Sequence, residues 1–322
     1  TGTVSEFGDP STGRSSTQLT SASGITVEGT AAIAPTDIVL PESVEGALEA
    51  YEGMLVRIRS TLTVSQNFFQ GRFGQVTLSA GGRLRQPTQE ASPGAAAAAL
   101  AIENARRRIV LDDLTSSQNP DPVPYLQQPF GFLRAGDTVG ELVGVVDYGL
   151  VSSDGSTRDY KVLASVPPAF VSGNPRTAAP AAVGGTLKVT SFNVLNYFTT
   201  IDQAGAQCLP SNTRTDCRGA DTPAEFVRQR DKIVAALVAL DADVVGLMEI
   251  QRNGQVAVQN LVDALNAVVG PGTWAAVPMP ANMGTDAIQV AMIHKPSRVT
   301  PVAPAISDPD AIHNRPPLAQ GF

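Results

Sequence analysis

The sequence predicts an α+β protein in two parts, a β-rich first half and a second half in which strands and helices alternate. Three observations carry that expectation. Up to about Phe170, short runs rich in β-branched residues are separated by Gly, Pro and Ser clusters. Residues 171–186 (VSGNPRTAAPAAVGGT) have the composition of a linker. From residue 187 onward, apolar runs of strand length alternate with segments whose apolar residues recur at helical spacing.

In the first half, residues 24–29, 55–64, 74–78, 108–111 and 138–146 read as strands. Ala95–Arg107 (AAAAALAIENARR) is the one helix candidate, favoured by its alanines although its apolar face is thin. It runs into Arg106-Arg107-Arg108, which suits either a solvated helix end or contact with a nucleic-acid backbone. A faint internal echo is present. Gly2-Thr3-Val4 leads to Phe7-Gly8 as Gly144-Val145-Val146 leads to Tyr148-Gly149, each followed by a Ser/Asp/Gly turn and a second strand, as in a small barrel.

In the second half, residues 187–194 (LKVTSFNV) form a strand that is apolar on both faces and is expected to be buried. Thr222-Pro223-Ala224-Glu225 is a helix start, with Thr as N-cap, Pro at the first helical position and Glu at the third. Phe226, Arg230, Ile233, Leu237 and Leu240 follow on one face. Residues 244–250 (VVGLMEI) are a buried strand. Residues 255–269 are a second amphipathic helix, with Val258, Leu261, Leu265 and Val268 inward, and residues 287–294 are a further strand.

The 322 residues are enough for two domains with cores of their own. Hydrophobic residues at 43% and charged residues at 16% belong to a globular chain. A net charge of −7 argues against a protein that coats nucleic acid by charge alone, yet allows an enzyme that meets phosphates through a cation. No apolar run approaches the ~18–20 residues that cross a bilayer, so no membrane partner is expected. Cys208 and Cys217 flank a polar loop and are expected to be bonded as a disulfide, the alternative being two free thiols. Zinc is disfavoured, because neither a second Cys pair nor a nearby His is present. A disulfide would imply an oxidising, extracellular or periplasmic setting.

Two polar residues close apolar strands, where a sheet presents side chains to a ligand: Asn193 after LKVTSF and Glu249 after VVGLM. A carboxylate left unpaired there would cost several kcal/mol, roughly, so it calls for a cation, an arginine or a proton. A carboxylate and an amide with water suit Mg²⁺ or Mn²⁺ bound jointly with a phosphate. The alternative is a solvated strand end with Glu249 paired to Arg252.

The stretch Lys188-Val189-Thr190-Ser191-Phe192-Asn193-Val194-Leu195-Asn196-Tyr197-Phe198 resembles the opening motif of secreted bacterial nucleases of the ExeM/NucH type, in the endonuclease/exonuclease/phosphatase superfamily. Matching words follow in the family's order. They are Arg218-Gly219-Ala220-Asp221-Thr222, Arg228-Gln229-Arg230-Asp231-Lys232-Ile233-Val234, and Asp241-Ala242-Asp243-Val244-Val245-Gly246-Leu247-Met248-Glu249, then Gly284-Thr285-Asp286-Ala287-Ile288 and Asn314-Arg315-Pro316. Upstream, Tyr51-Glu52-Gly53-Met54, Arg85-Gln86-Pro87-Thr88 and Leu111-Asp112-Asp113 resemble the oligonucleotide/oligosaccharide-binding-fold (OB-like) region that precedes the catalytic domain.

The resemblance implies an OB-like β-barrel region over residues 1–170, a linker over 171–186, and the first half of a DNase-I-like αββα four-layer sandwich over 187–322. It implies a secreted, metal-dependent phosphodiesterase acting on DNA or RNA, with Mg²⁺, Mn²⁺ or Ca²⁺ as cofactor. Asn193 and Glu249 would hold the metal and serve catalysis. Asp286 would orient a catalytic histidine, or else cap a strand. Arg315 would contact a substrate phosphate, or else form a salt bridge. His294 and His313 do not fall where the family's catalytic histidine does. The family's later words, a His-bearing strand, an Asp-x-Asn pair and a terminal Asp-His pair, find no counterpart here. The expectation is a piece that opens in mid-strand, leaves a sheet face uncovered and does not cleave by itself. Rival readings are a phosphoesterase of the same fold acting on a lipid or sugar phosphate, and a non-catalytic nucleic-acid-binding module. Oligomeric state is not legible.

Overall fold

Apolar residues at alternate positions build the core of the first unit. Val56 and Ile58 of β4 (Leu55–Ile58), Leu62 and Val64 of β5 (Leu62–Gln66), and Val76 and Leu78 of β6 (Val76–Ala80) are all buried. They meet Ile109 and Leu111 of β7 (Arg108–Asp112), Leu142 and Val146 of β9 (Leu142–Leu150), and Tyr160 and Val162 of β10 (Arg158–Ala164) in one cluster. With β3 (Thr36–Ile38), β8 (Thr138–Val139) and β11 (Phe170–Val171) these strands make a curled nine-stranded sheet in the order β11-β8-β5-β6-β7-β10-β9-β4-β3. The computed structural model describes residues 1–9, 14–126, 133–151, 157–308 and 310–322. The chain divides into units Thr1–Arg176 and Thr177–Phe322, which makes it a mixed α+β protein.

Several expected strands are corrected by the pairing. Residues 24–29 form no strand; Ile25 and Val27 are exposed and no ladder forms there. The run 55–64 breaks into β4 and β5, because Ser60 Oγ both donates to Leu40 O and accepts from Leu40 N at 3.0 and 2.9 Å. The run 138–146 breaks after Val139, since β8 pairs with β5 and β11 whereas β9 pairs with β10 and β4. The two echoed segments are both antiparallel hairpins: β1 (Thr3–Asp9) with β2 (Arg14–Thr20), and β9 with β10. The turns expected in both, at residues 10–13 and 152–156, lie outside the described residues.

Two four-residue helices, α1 (Gln70–Phe73) and α2 (Pro87–Glu90), precede α3, which spans Ala95–Arg107 as read. The three arginines at its end are all engaged inside the unit. Arg106 donates to Glu42 O, Arg107 to the carbonyls of Ala80, Gly81 and Gly82, and Arg108 to Asp159. The boundary of the unit also moves. Val171 pairs in β11, Gly173 N donates to Asp137, and Asn174 is bonded to Ala135, so the stretch expected to be linker starts inside unit 1.

In the second unit, β12 (Val189–Tyr197), β13 (Val244–Gln251), β14 (Ala275–Ala276) and β15 (Ile288–His294) form a sheet ordered β12-β13-β15-β14. Helix α4 (Pro223–Leu240) crosses between the parallel strands β12 and β13, and α5 (Val256–Val269) follows. Thr222 and Glu225 make the reciprocal capping box. Val245, Leu247, Ile250, Ala291 and Ile293 pack with Ile233, Leu237, Val258, Leu261 and Leu265 of the helices. Val268, expected inward, is 65% exposed, and Val262 takes the buried position instead. β12 is covered on one face only: Val194 is buried, whereas Val189 (68% exposed), Ser191 and Asn193 lie open. Asp241 and Asp243 peg the sheet. Lys188 and Lys295 both bridge to Asp241, holding its carboxyl down at about 2, and Asp243 accepts from Lys188 N and Arg298. A short pair, β16 (Ile306–Ser307) with β17 (Leu318–Ala319), ends the unit.

Candidate functional site

Asn193 lies in register with Met248, so Glu249 is the next residue along the neighbouring strand. The ladder is broken at this point on both sides of β13. Three residues of β12, Val194, Leu195 and Asn196, stand opposite Glu249 alone. On the other side, Met248 and Glu249 together face Val290, a bulge. Leu247 and Ile250 both pack on the helices. Met248 and Glu249 therefore share the step that regular alternation would give to one residue on the opposite, open face.

The break stores backbone strain. Leu195, Asn196 and Glu249 have φ of 49°, 50° and 63°, the left-handed region that costs a non-glycine residue roughly 1–2 kcal/mol. Two side chains hold it. Asn193 Oδ1 accepts from Leu195 N at 2.7 Å, and Gln229 on α4 donates to Leu195 O at 2.7 Å and Val194 O at 3.2 Å. Gln229 belonged to a recognisable word in the sequence but had no assigned role; only its reach across from the helix reveals one. Tyr197 Oη donates to Asn260 at 2.6 Å and anchors the far side of the distortion.

Glu249 is half-buried, and its carboxylate has no hydrogen bond or ion pair among the described residues. The expected alternative, a pair with Arg252, does not form. Arg252 is turned to the carbonyl oxygens of Asp286 and Thr285.

Asp286 and Arg315, expected to act on different partners, are bonded to each other. Arg315 Nε donates to Asp286 Oδ2 at 2.9 Å, Arg218 Nη2 lies 3.2 Å from Asp286 Oδ1, and Oδ1 also accepts from Ala287 N at 2.6 Å. Burial alone would raise this carboxyl, but the Arg315 bond, the Ala287 amide and the Arg218 charge outweigh it and hold it below its ordinary value. The cap on the strand start and the salt bridge, each weighed as an alternative, both exist. Among the described residues no histidine bonds Asp286. His313 pairs with Asp308 at 3.2 Å, and His294 is buried against Phe322 with Nδ1 lacking a partner and its pKa lowered by desolvation.

A disulfide joins Cys208 and Cys217, with Cα atoms 5.2 Å apart, and packs with Phe198, Ala287 and Ile288. Closing so short a loop stabilises the unit by about 2–3 kcal/mol. Beside it, buried Gln251 accepts from Thr199 N at 2.9 Å and Thr200 N at 3.2 Å and donates to Thr200 Oγ1 at 2.8 Å, a tie that sequence reading missed. Among the described residues no group of three or more His, Cys, Asp or Glu side chains is arranged to hold a metal. No protein-family model, curated protein or solved structure matches this chain.

Proposed function

We propose that the second unit carries the metal-binding strand ends of a secreted phosphodiesterase acting on DNA or RNA. The observation that carries this reading is Glu249, an unpaired, half-buried carboxylate in strained backbone, beside a strand whose Asn193 stands in register one residue away. The ordered motifs resembling secreted nucleases support it. On this reading the curled sheet of the first unit is an OB-like barrel, and the sheet with two helices on one face is one side of an αββα sandwich, whose open face would receive the second sheet.

Glu249 and the free lone pair of Asn193 Oδ1 fit a Mg²⁺ or Mn²⁺ ion that keeps most of its water. Such an ion offsets phosphate charge and stabilises the transition state of hydrolysis. Asn193 and Gln229 keep the carboxylate's neighbouring turn in place, and the bulge sets the direction of Glu249. With only these two protein donors such an ion would be held weakly, with a dissociation constant above about 0.1 mM.

Titration of the chain with Mn²⁺ should broaden NMR signals of residues 193–196 and 248–250, and Glu249→Gln should abolish the effect. Cleavage of DNA is expected to stay at background, since His313 is paired with Asp308, His294 packs against Phe322, and no described residue hydrogen-bonds Glu249. Broadening centred elsewhere and untouched by Glu249→Gln would overturn the assignment.

A further inference from the structure

The first unit holds a cavity of about 600 Å³ to which the proposed function gives no task. Its floor is the side of the sheet turned away from the core where β7, β9 and β10 meet, and its cover is the β1–β2 hairpin. The hairpin forms no ladder with that sheet. Single contacts hold it there. Thr17 N donates to both oxygens of Glu52, at 2.9 and 3.2 Å, and Arg14 pairs with Glu45 at 2.8 Å. Residues 21–34, which lead from the hairpin to β3, are exposed throughout.

Three charges meet on the floor. Lys161 Nζ lies 3.1 Å from Asp112 Oδ2 and 3.4 Å from Asp147 Oδ2. Asp112 is fully engaged within the protein: Oδ2 also accepts from Gln75 Nε2 at 2.8 Å, and Oδ1 accepts from Leu114 N at 3.1 Å. Asp147 is not. Among the described residues its carboxylate has Lys161 alone, and its side chain is 31% exposed, against 6% for Asp112. Lys161 has three N–H groups for these two carboxylates, so one is left over. Gly149 keeps the pair uncovered. A Cβ there would stand 3.2 Å from Lys161 Nζ and 3.5 Å from Asp147 Oδ2.

The lining gives the ligand class. Asp112 and Asp147 are balanced by Lys161 and Arg158, so the charged side chains around the cavity sum to zero. A simple ion of either sign placed at Asp147 and Lys161 is repelled by one of the two. A hydroxyl suits them both, because it donates to the carboxylate and accepts from the ammonium. Phe7, Phe73 and Leu150 give the same cavity apolar walls, and Ser16 and Gln18 of the hairpin add polar groups. An uncharged ring with adjacent hydroxyls and bare C–H faces meets both kinds of surface. A pyranose has that form, and the cavity is of a size that takes small molecules.

We infer that the cavity beneath the β1–β2 hairpin binds a pyranose sugar, with adjacent hydroxyls on Asp147 and Lys161 and a C–H face against Phe7 and Phe73. The site lies wholly within Thr1–Arg176 and does not rest on the phosphodiesterase reading or on the Glu249 metal site. A ring that touches both hairpin and sheet also holds the cover down.

The test titrates the 322-residue chain with the methyl glycosides of glucose, mannose and galactose, following backbone amide signals by NMR. At least one glycoside should shift the signals of residues 16–18 and 147–150 saturably, with a dissociation constant of about 1 mM. Gly149→Ala, in an extended strand whose backbone accepts alanine, should weaken binding at least about tenfold by covering the ammonium. Asp147→Asn keeps the shape of the side chain and should cost as much, whereas Val4→Ala, on the hairpin face opposite Phe7, should cost under about twofold. No shift from any of the three glycosides, or shifts that neither Gly149→Ala nor Asp147→Asn reduces, overturns the site. Hexathymidylate moving these signals while the glycosides do not would assign the cavity to nucleic acid, and free glycine doing so would assign it to a zwitterion. Either result overturns the sugar.

Discussion

Asp113 shows how much a single buried oxygen can weigh. Its Oδ1 accepts from Thr115 N at 3.1 Å, its Oδ2 has no partner, and Gly74 at φ 64° packs against the carboxyl. Desolvation pushes its pKa up, against the Thr115 amide, and the neighbouring Asp112 charge pushes the same way. A carboxyl with a raised folded pKa holds its proton to higher pH in the native state than in the unfolded chain. Its contribution therefore favours the fold at acidic pH, and is lost as pH rises from the ordinary carboxylate range to the raised folded value. Asp113→Asn keeps an acceptor for Thr115 and removes the charge. The variant should be more stable than the wild type at pH 7, with the gap closing toward pH 4. Urea midpoints of both proteins at the two pH values check this, and a gap that widens in acid would refute it.

Helix α4 is the element on which the candidate site leans, since Gln229 reaches from it to the strained carbonyls of Val194 and Leu195. Its start is set locally: Glu225 N donates to Thr222 Oγ1 at 3.2 Å, and Glu225 Oε2 accepts from Thr222 N at 3.1 Å. Pro223 occupies a position whose N–H no helix bond needs. Thr222→Ala should cost about 1 kcal/mol, read from the denaturant midpoint, and Thr222→Ser should restore most of it. No change in Thr222→Ala would mean that tertiary packing, not the cap, sets where α4 begins.

At the scale of the whole chain, the two units have separate cores, and residues 175–186 between them are exposed throughout. Exposed backbone without a ladder is where a protease binds first. Limited trypsin treatment should cut after Arg176 before any arginine inside either sheet, releasing Thr1–Arg176 and Thr177–Phe322 as resistant fragments. Early cuts at Arg85 or Arg158 instead would show that the first unit opens before the connection is cleaved.

The elements legible in the sequence are those whose causes are local. Alanine content marked α3, a Thr-Pro-x-Glu word marked the start of α4, and apolar runs marked β13 and β15. Asn193 and Glu249 stood out because each closes an apolar run, and a carboxylate left buried and unpaired there would be costly. Periodicity says which residues are alike, however, and not which neighbours meet them. Only the tertiary structure decided that one face of β12 stays open, that Val268 turns outward while Val262 turns in, and that Arg252 leaves Glu249 unpaired. It alone brought Arg218, Asp286 and Arg315 together, because that meeting depends on two glycines packing against Phe198 and Pro316 from distant parts of the chain. The left-handed turn at Leu195 and Glu249 was illegible for the same reason. Leucine and glutamate have no local preference for it, and it persists because a strand register, Asn193 and a helix-borne glutamine hold it there.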